Sequence, residues 1–79
     1  MRVVYILQSE VDPTRYYIGV TYNLDVRVLE HNAGLAYHTR KFKPWKLTVA
    51  ISFKDPNRAF QFERYLKTGS GRALAKRHF

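Results

Sequence analysis

The pattern of apolar and polar positions along the chain predicts three short strands. Val3–Leu7 is a run of β-branched and aromatic residues, the types that strands favour. Arg15–Val20 alternates, and a short turn containing Asp12–Pro13 separates it from the first strand, as in an antiparallel hairpin. In Trp45–Phe53 every second residue is apolar, so we expect five residues on one side of this third strand: Trp45, Leu47, Val49, Ile51 and Phe53.

The first predicted helix follows the second strand. Asn23 is a suitable N-cap for a helix that begins at about Leu24. The helix is expected to end near Asn32–Gly34, because Gly34 suits a left-handed C-terminal cap. The polar, basic and aromatic segment Tyr37–Pro44 that comes next is predicted to be a loop.

Two more helices are predicted after the third strand. Asp55–Pro56 opens the second helix, with Asp as N-cap and Pro at the first helical position. It is expected to run to about Thr68 and to be stopped by Gly69. Ser70 is then expected to cap a third, basic helix through Arg72–Arg77.

The resulting order, β-β-α-β-α-α, predicts an α+β fold. A chain of 79 residues is expected to form one domain, covering residues 1–79, with a core of modest size. We therefore expect a single small domain with a three-stranded antiparallel sheet and helices packed on it.

Two predicted helices carry titratable residues within their apolar faces. In the first helix, Arg27 and His31 share a face with apolar positions, because they lie at i+3 and i+7 from Leu24. In the second helix, Glu63 lies within the apolar stripe formed by Ala59, Phe62 and Leu66. A buried carboxylate is costly unless it pairs with a cation or binds a metal. The alternative is that Arg27 and His31 lie on a solvated flank, and that Glu63 lies at the stripe's edge and pairs with Lys or Arg.

The net charge points to an anionic partner. The chain has 14 Lys and Arg against 6 Asp and Glu, a formal charge of +8, which favours nucleic acid or a membrane surface. It has no cysteine, so disulfides and thiolate zinc sites are excluded. No apolar run approaches the ~20 residues of a membrane span and no signal peptide is visible, so we expect a soluble, cytoplasmic protein.

Two tyrosine motifs carry a family resemblance. Tyr17–Gly19 matches the second motif of the GIY-YIG nucleases, and Val3–Tyr5 stands at their first motif, with eleven residues between the two tyrosines. The chain resembles the small stand-alone bacterial members and the GIY-YIG domain of the excinuclease nuclease subunit. Further similar positions cover nearly the whole chain: Thr21, Asn23, Leu24, Arg27, His31, Trp45–Leu47, Ala59, Glu63 and Leu66–Lys67.

Three features depart from the family pattern. The first motif reads Val-Val-Tyr in place of Gly-Ile-Tyr, which keeps the tyrosine. Val20 stands where some relatives have a Lys. The late Asn that steadies the site in many members has no counterpart, since no Asn follows Asn57.

The resemblance implies metal-dependent hydrolysis of DNA phosphodiester bonds, in DNA repair or in processing of structured DNA. Glu63 would hold one divalent cation, Mg²⁺ or Mn²⁺, and Arg27 would stabilise charge on the phosphate. Tyr5 and Tyr17 would place hydroxyls at the phosphate and the attacking water, with Tyr5 favoured as general base, and His31 would assist. Basic residues would grip the DNA backbone: Arg40, Lys41, Lys43, Arg72, Lys76 and Arg77.

Other interpretations of the sequence stay open. The scaffold could be a non-enzymatic nucleic-acid-binding module, or a subunit that is inert without a protein partner, as the lack of the late Asn suggests. RNA is an alternative substrate. A membrane-surface role is disfavoured, because the basic residues are not confined to the polar face of one amphipathic helix.

Overall fold

The computed structural model describes all residues, 1–79, and has the predicted order of elements. The elements are β1 (Arg2–Ser9), β2 (Tyr16–Thr21), α1 (Leu24–Asn32), a short 3₁₀ turn (Arg40–Phe42), β3 (Trp45–Phe53), α2 (Pro56–Leu66) and α3 (Gly69–His78). The predicted α+β class is confirmed, and within the expected loop at 37–44 the chain makes the single 3₁₀ turn. The three helices are all too short or too polar to cross a bilayer.

β1 is the central strand of the sheet. It pairs antiparallel with both neighbours, in the order β2-β1-β3. Four consecutive residues of β1, Val4–Leu7, are buried, because helices cover both faces of the sheet at this strand. β2 is an edge strand and leaves one side of its backbone unpaired.

A β-bulge divides the third strand. Ile6 of β1 lies opposite Val49, but the next residue, Leu7, lies opposite Leu47, so Thr48 is an extra residue. The Thr48 hydroxyl donates a hydrogen bond to the carbonyl oxygen of Ile6 at 3.0 Å. The prediction that all five apolar residues of β3 share one side is therefore wrong, because the bulge reverses the alternation at Thr48.

The two faces of the sheet have different cores. The first, which we call the α1 face, contains Tyr5, Leu7 and Trp45, and residues of α1 pack against them. The second, the α2 face, contains Val4 and Ile6, which pack against residues of α2 and α3: Ala59, Leu66 and Ala75. The sheet is thus the middle layer of the domain.

The helix ends follow the capping chemistry of the sequence, with two corrections. The Asn23 and Asp55 side chains accept hydrogen bonds from the amides of Val26 and Asn57, at 3.3 and 2.9 Å, which confirms both N-caps. Gly34 has φ 79°, as a left-handed cap after α1 requires. The predicted end of α2 and the predicted cap of α3 are wrong.

Thr68 begins α3 instead of ending α2. α2 ends at Leu66, and the Thr68 hydroxyl accepts a hydrogen bond from the amide of Gly71 at 3.1 Å, so Thr68 takes the capping position predicted for Ser70. Gly71 allows the sharp join between the two helices. A Cβ at Gly71 would lie 1.8 Å from the Tyr65 carbonyl oxygen, so any larger residue would push α3 away from α2.

Candidate active site

A buried hydrogen bond joins the first predicted tyrosine to the predicted histidine. Tyr5 lies at the centre of β1 with 1% of its surface exposed, and His31 lies in the last turn of α1 with none exposed. The Tyr5 hydroxyl is 2.8 Å from His31 Nε2. The alternative that His31 lies on a solvated flank of α1 is therefore wrong.

Thr39 completes a chain of hydrogen bonds behind this pair. His31 Nδ1 is 2.7 Å from the buried Thr39 hydroxyl, which donates to the carbonyl oxygen of Ala36 at 3.4 Å. A hydroxyl that donates to Ala36 accepts from a protonated Nδ1, and Nε2 is then free to accept the proton of the Tyr5 hydroxyl. This assignment gives a partner to each side-chain polar atom of Tyr5, His31 and Thr39. It also fixes the tautomer of His31.

The indole of Trp45 holds Thr39 in place. Trp45 Nε1 donates to the backbone carbonyl of Thr39 at 2.7 Å. The side chain of Asn32 in turn holds the Trp45 backbone: it donates to the carbonyl oxygen at 3.0 Å and accepts from the amide at 2.6 Å. Sequence reasoning missed Thr39, because a threonine in a polar loop carries no pattern that distinguishes it from a surface residue.

Tyr17 lies beside the buried pair. Its ring centroid is 4.8 Å from that of His31 and 6.2 Å from that of Tyr5. Gly19 makes this grouping possible, because a Cβ there would lie 2.5 Å from the Tyr5 hydroxyl oxygen and 2.9 Å from the ring of Tyr17. A glycine within a strand thus marks a close approach of the backbone to two side chains.

Arg27 lies on the same face of α1 as His31, one turn earlier. Its guanidinium donates a hydrogen bond to Glu30 at 3.1 Å, and the side chain is 36% exposed. The bond to Glu30 raises the pKa of Arg27, opposed by partial burial and assisted by Tyr5 and Tyr17. A permanently charged group therefore lies beside the two tyrosines, about one-third exposed to solvent.

Burial sets the protonation states of the two buried groups. It raises the pKa of Tyr5 to about 12, against the lowering effect of the Arg27 guanidinium. Burial, together with the positive charge of Arg27, lowers the pKa of His31 below its ordinary value, so His31 is neutral near pH 7. The choice of Tyr5 as general base is therefore disfavoured. Its phenol stays protonated and donates a hydrogen bond to the neutral imidazole of His31.

Glu63 lies on the opposite face of the sheet from the tyrosines. It projects from α2, its side chain is 14% exposed, and it accepts a hydrogen bond from Lys67 Nζ at 2.5 Å. The alternative interpretation of Glu63, a pair with a lysine at the edge of the apolar stripe, is thus present in the structure. Nowhere in the chain do three or more His, Cys, Asp or Glu side chains group together as a metal centre.

A single carboxylate fits only one kind of metal site. Mg²⁺ is often held by one or two carboxylates together with water and substrate phosphates, whereas zinc needs three or four protein ligands. Lys67 is the one residue that hydrogen-bonds to Glu63, so one carboxylate oxygen keeps no protein partner. The residues present therefore fit a hard divalent cation that is bound together with substrate.

A cleft at the edge of the sheet brings the two faces together. It has a volume of about 830 Å³ and lies between β2, α2 and α3. Tyr17 from the α1 face and Lys67, one turn from Glu63, both line it. The remaining lining residues are Pro13, Thr14, Arg15, Tyr16, Ile18, Arg72 and Lys76.

The predicted DNA-binding residues form two separate groups. Arg72 and Lys76 line the cleft, and Arg77 is exposed on the same helix, α3. Arg40, Lys41 and Lys43 lie in and beside the 3₁₀ turn, where Arg40 stacks on Tyr37 at 5.0 Å. Arg15 and Lys67 were missed as cleft residues, because only the packing of α2 against β2 and of α3 against α2 brings them near Arg72 and Lys76.

The family model for the GIY-YIG catalytic domain matches residues 1–77, which include every residue of this cluster. The chain belongs to the GIY-YIG family. The family resemblance predicted from the two tyrosine motifs is thus confirmed. Nucleases of this family generally depend on a divalent metal ion.

Curated relatives of the GIY-YIG chain come from yeasts. Over 71 residues it is 44% identical to the structure-specific endonuclease subunit SLX1 of Meyerozyma guilliermondii, and the match covers 81% of the chain and 24% of that protein. The SLX1 proteins of Scheffersomyces stipitis and Debaryomyces hansenii are 43% and 39% identical, over 76% and 81% of the chain. The matched region spans a fifth to a quarter of the length of these three relatives.

Proposed function

We propose that this GIY-YIG domain is a metal-dependent endonuclease that hydrolyses DNA phosphodiester bonds. The observation that carries the proposal is the grouping of Tyr17, Arg27 and the hydrogen-bonded pair Tyr5–His31 beside a cleft lined with cations. Hydroxyls and a guanidinium are groups that phosphoryl transfer uses to orient water and to stabilise charge, and Glu63, on the other face of the sheet, would add a carboxylate for a metal ion.

Tyr17 is our candidate for the general base. It is half-buried and lines the cleft, so it can meet both solvent water and a bound phosphate. Tyr5 is enclosed and keeps its proton, which suits a residue that donates hydrogen bonds and positions its neighbours. His31 and Thr39 act through Tyr5, since they hold its hydroxyl in one orientation.

Arg27 and Glu63 supply the opposite charges of the proposed site. The guanidinium of Arg27 would stabilise negative charge on the phosphate, because it is ionised at every physiological pH and presents a planar set of donors. Glu63 would hold a divalent cation, which we propose to be Mg²⁺, with Mn²⁺ as a substitute. When bound, this ion would neutralise charge on the scissile phosphate and on the leaving oxygen.

The names of the relatives support a structured substrate and a partner. Each is called a structure-specific endonuclease subunit, which describes an enzyme that acts on DNA of defined shape as part of an assembly. We propose branched or flapped DNA as the substrate, in repair, and a second protein as the partner.

Cleavage of defined DNA tests the proposal. A supercoiled plasmid and a panel of flapped, branched, nicked and plain duplexes are incubated with the protein in Mg²⁺, in Mn²⁺ and in EDTA. We expect cleavage with either metal, none in EDTA, and a preference for flapped or branched forms. Tyr17→Phe should reduce the rate more than Tyr5→Phe, and Tyr22→Phe, at an exposed tyrosine next to β2, should leave it unchanged. Equal rates for all three variants would refute the assigned roles.

One observation favours the alternative of a binding module without nuclease activity. The Glu63 carboxylate already has a cationic partner in Lys67, and this pair could serve structure alone. DNA binding in EDTA, with no cleavage in Mg²⁺ or Mn²⁺ on any member of the panel, would support that alternative. In either case the affinity for duplex DNA should fall steeply with salt, by ~0.9 in log K per log salt for each phosphate contact.

A further inference from the structure

The cleft beside β2 has an unbalanced charge. Four of its lining residues are cationic and none is acidic: Arg15, Lys67, Arg72 and Lys76. Arg15 and Lys67 each pair with a carboxylate outside the lining, Asp12 and Glu63, whereas Arg72 and Lys76 form no ion pair. Two uncompensated cations on one side of α3 provide a site for the phosphates of a backbone.

An aromatic ring lines the same cleft as these cations. Tyr16, the first residue of β2, is 59% exposed and lines the cleft. Its hydroxyl accepts a hydrogen bond from Gln8 Nε2 at 3.1 Å, and the same nitrogen donates to the carbonyl of Pro13 at 2.9 Å. The phenol end is therefore anchored to the neighbouring strand and turn, while most of the side chain stays accessible.

A cleft that combines free cations with an exposed aromatic ring favours an unpaired strand over a duplex. Single-stranded nucleic acids are bound by cations that follow the phosphates and by aromatic rings on which bases stack. In a duplex, both flat faces of an internal base are already covered by its neighbours, so Tyr16 has nothing to stack on. The cleft, at about 830 Å³, is also within the size range of sites that take small ligands.

We infer that this cleft is a subsite for a short single-stranded segment of DNA, with its phosphates at Arg72 and Lys76 and a base stacked on Tyr16. Tyr17 lines the same cleft as Tyr16, so the unpaired segment would lie next to the bond that is cut. The inference rests on the proposed function, and it identifies the unpaired strand as the part of a flapped or branched substrate that the domain recognises.

Binding in EDTA tests the subsite without any cleavage. Three fluorescent ligands of equal length are compared by anisotropy: a single-stranded oligothymidylate, a sugar-phosphate chain of the same charge without bases, and a blunt duplex. Tyr16→Ala should weaken binding of the oligothymidylate by roughly 5- to 150-fold, the range for loss of one stacked base, and should leave the abasic chain unchanged. Tyr16→Phe should restore binding, because it keeps the ring.

The cations should act on both single-stranded ligands alike. Arg72→Ala and Lys76→Ala should each weaken the oligothymidylate and the abasic chain to the same extent, and each should lower the salt slope by about 0.7. Tyr22→Ala, at an exposed tyrosine at the other end of β2, and Lys54→Ala, at an exposed lysine after β3, are matched controls that should change neither affinity.

The inference fails if Tyr16→Ala weakens the abasic chain as much as the oligothymidylate, if it changes neither, or if it weakens the duplex most. Thermal melts of the variants show whether a loss reflects unfolding, and recovery by Tyr16→Phe separates stacking from general disruption. Failure of the nuclease proposal would be seen differently, as absence of metal-dependent cleavage with these binding differences intact.

Discussion

The two faces of the sheet differ in what they bury. All three fully buried polar side chains lie on the α1 side: Ser9, His31 and Thr39. The buried core residues of the α2 face, Val4, Ile6, Ala59 and Leu66, are all apolar, and Glu63 lies beside them with its side chain 14% exposed. One side of β1 therefore carries a hydrogen-bonded polar network, and the other carries a plain hydrophobic core.

This difference shows how a small domain accommodates a polar site. An unpaired buried polar group costs ~1–3 kcal/mol, so each group on the α1 face needs a partner and each partner restricts the sequence. The α2 face has no such requirement, because burial of apolar surface does not depend on direction. We expect changes on the α2 face to affect stability and changes on the α1 face to affect stability and activity together.

Glu63 is the expected exception to this division, because it lies on the α2 face but is proposed to hold the metal ion, and Glu63→Gln should show the largest effect. The cleavage rate should fall ~10²–10³-fold or more, the range for loss of one charge-stabilising group. The free energy of unfolding in EDTA should change by no more than ~0.5 kcal/mol, because Lys67 is 50% exposed and such i,i+4 pairs contribute little. The measurements are a cleavage assay and chemical denaturation.

Glu10→Gln is the matched control for Glu63→Gln. Glu10 is an exposed carboxylate after β1, and its loss should leave both cleavage and stability unchanged. A Glu63→Gln variant that is destabilised by several kcal/mol, yet cuts at a near-normal rate per folded molecule, would assign Glu63 to structure alone.

Leu66→Ala tests the α2 face as a source of stability only. Leu66 is 1% exposed, and truncation of such a residue costs ~2–5 kcal/mol in the free energy of unfolding. Leu29→Ala, at a residue of α1 that is 69% exposed, should cost less than ~0.5 kcal/mol. Both variants should cut DNA at the normal rate per folded molecule at low temperature. A lower cleavage rate per folded molecule for Leu66→Ala alone would show that the core of the α2 face also serves activity.

Thr39→Val tests the network on the α1 face. The change keeps the shape of the side chain but leaves the Nδ1 proton of His31 without an acceptor, at a cost of ~1–3 kcal/mol in the free energy of unfolding. The cleavage rate should fall as well, and ¹⁵N NMR should show His31 moving toward the other tautomer. Thr39→Ser should restore all three readouts, whereas a valine variant with an unchanged tautomer would show that Thr39 only packs.

The smallest expected effect is the pH dependence of stability, which comes from the α1 face. The pKa of His31 is lower in the folded protein than its ordinary value of ~6.5. Its contribution to the free energy of unfolding is therefore complete above that pH and decreases as the pH falls below it. For Tyr5, with a pKa of about 12, the contribution is complete below ~10 and is lost as pH rises towards 12. Denaturation at a series of pH values should show both losses, and Tyr5→Phe should lack the alkaline one.

Local chemistry made much of the fold predictable from the sequence. Asn23, Asp55 and Gly34 act through atoms of their own helix ends, so their roles can be inferred from a few neighbouring residues. The strand Trp45–Phe53 was likewise predicted with the bounds that the structure has. Thr68 was misassigned because two helices compete for the same residue, and the position of Gly71 decides which one takes it.

The candidate site was predictable in its residue types but not in its chemistry. The spacing of Arg27 and His31 placed them on one face of α1, and the structure brings both near the two tyrosines. Burial raises the pKa of Tyr5, and that burial depends on the packing of other elements around Tyr5. The partner of His31, Thr39, and the edge cleft arise only when distant segments meet, so no local pattern could indicate them.

The bulge at Thr48 has a consequence for how this chain tolerates insertions and deletions. The extra residue acts as a phase shift: it lets Trp45 point to one face and Val49 to the other within a single strand. Removal of Thr48 would restore strict alternation along β3. The side chains of either the Trp45 half or the Val49 half of the strand would then have to turn to the opposite face of the sheet. A single-codon deletion at this position should therefore be far more damaging than a substitution there, although Thr48 is itself exposed.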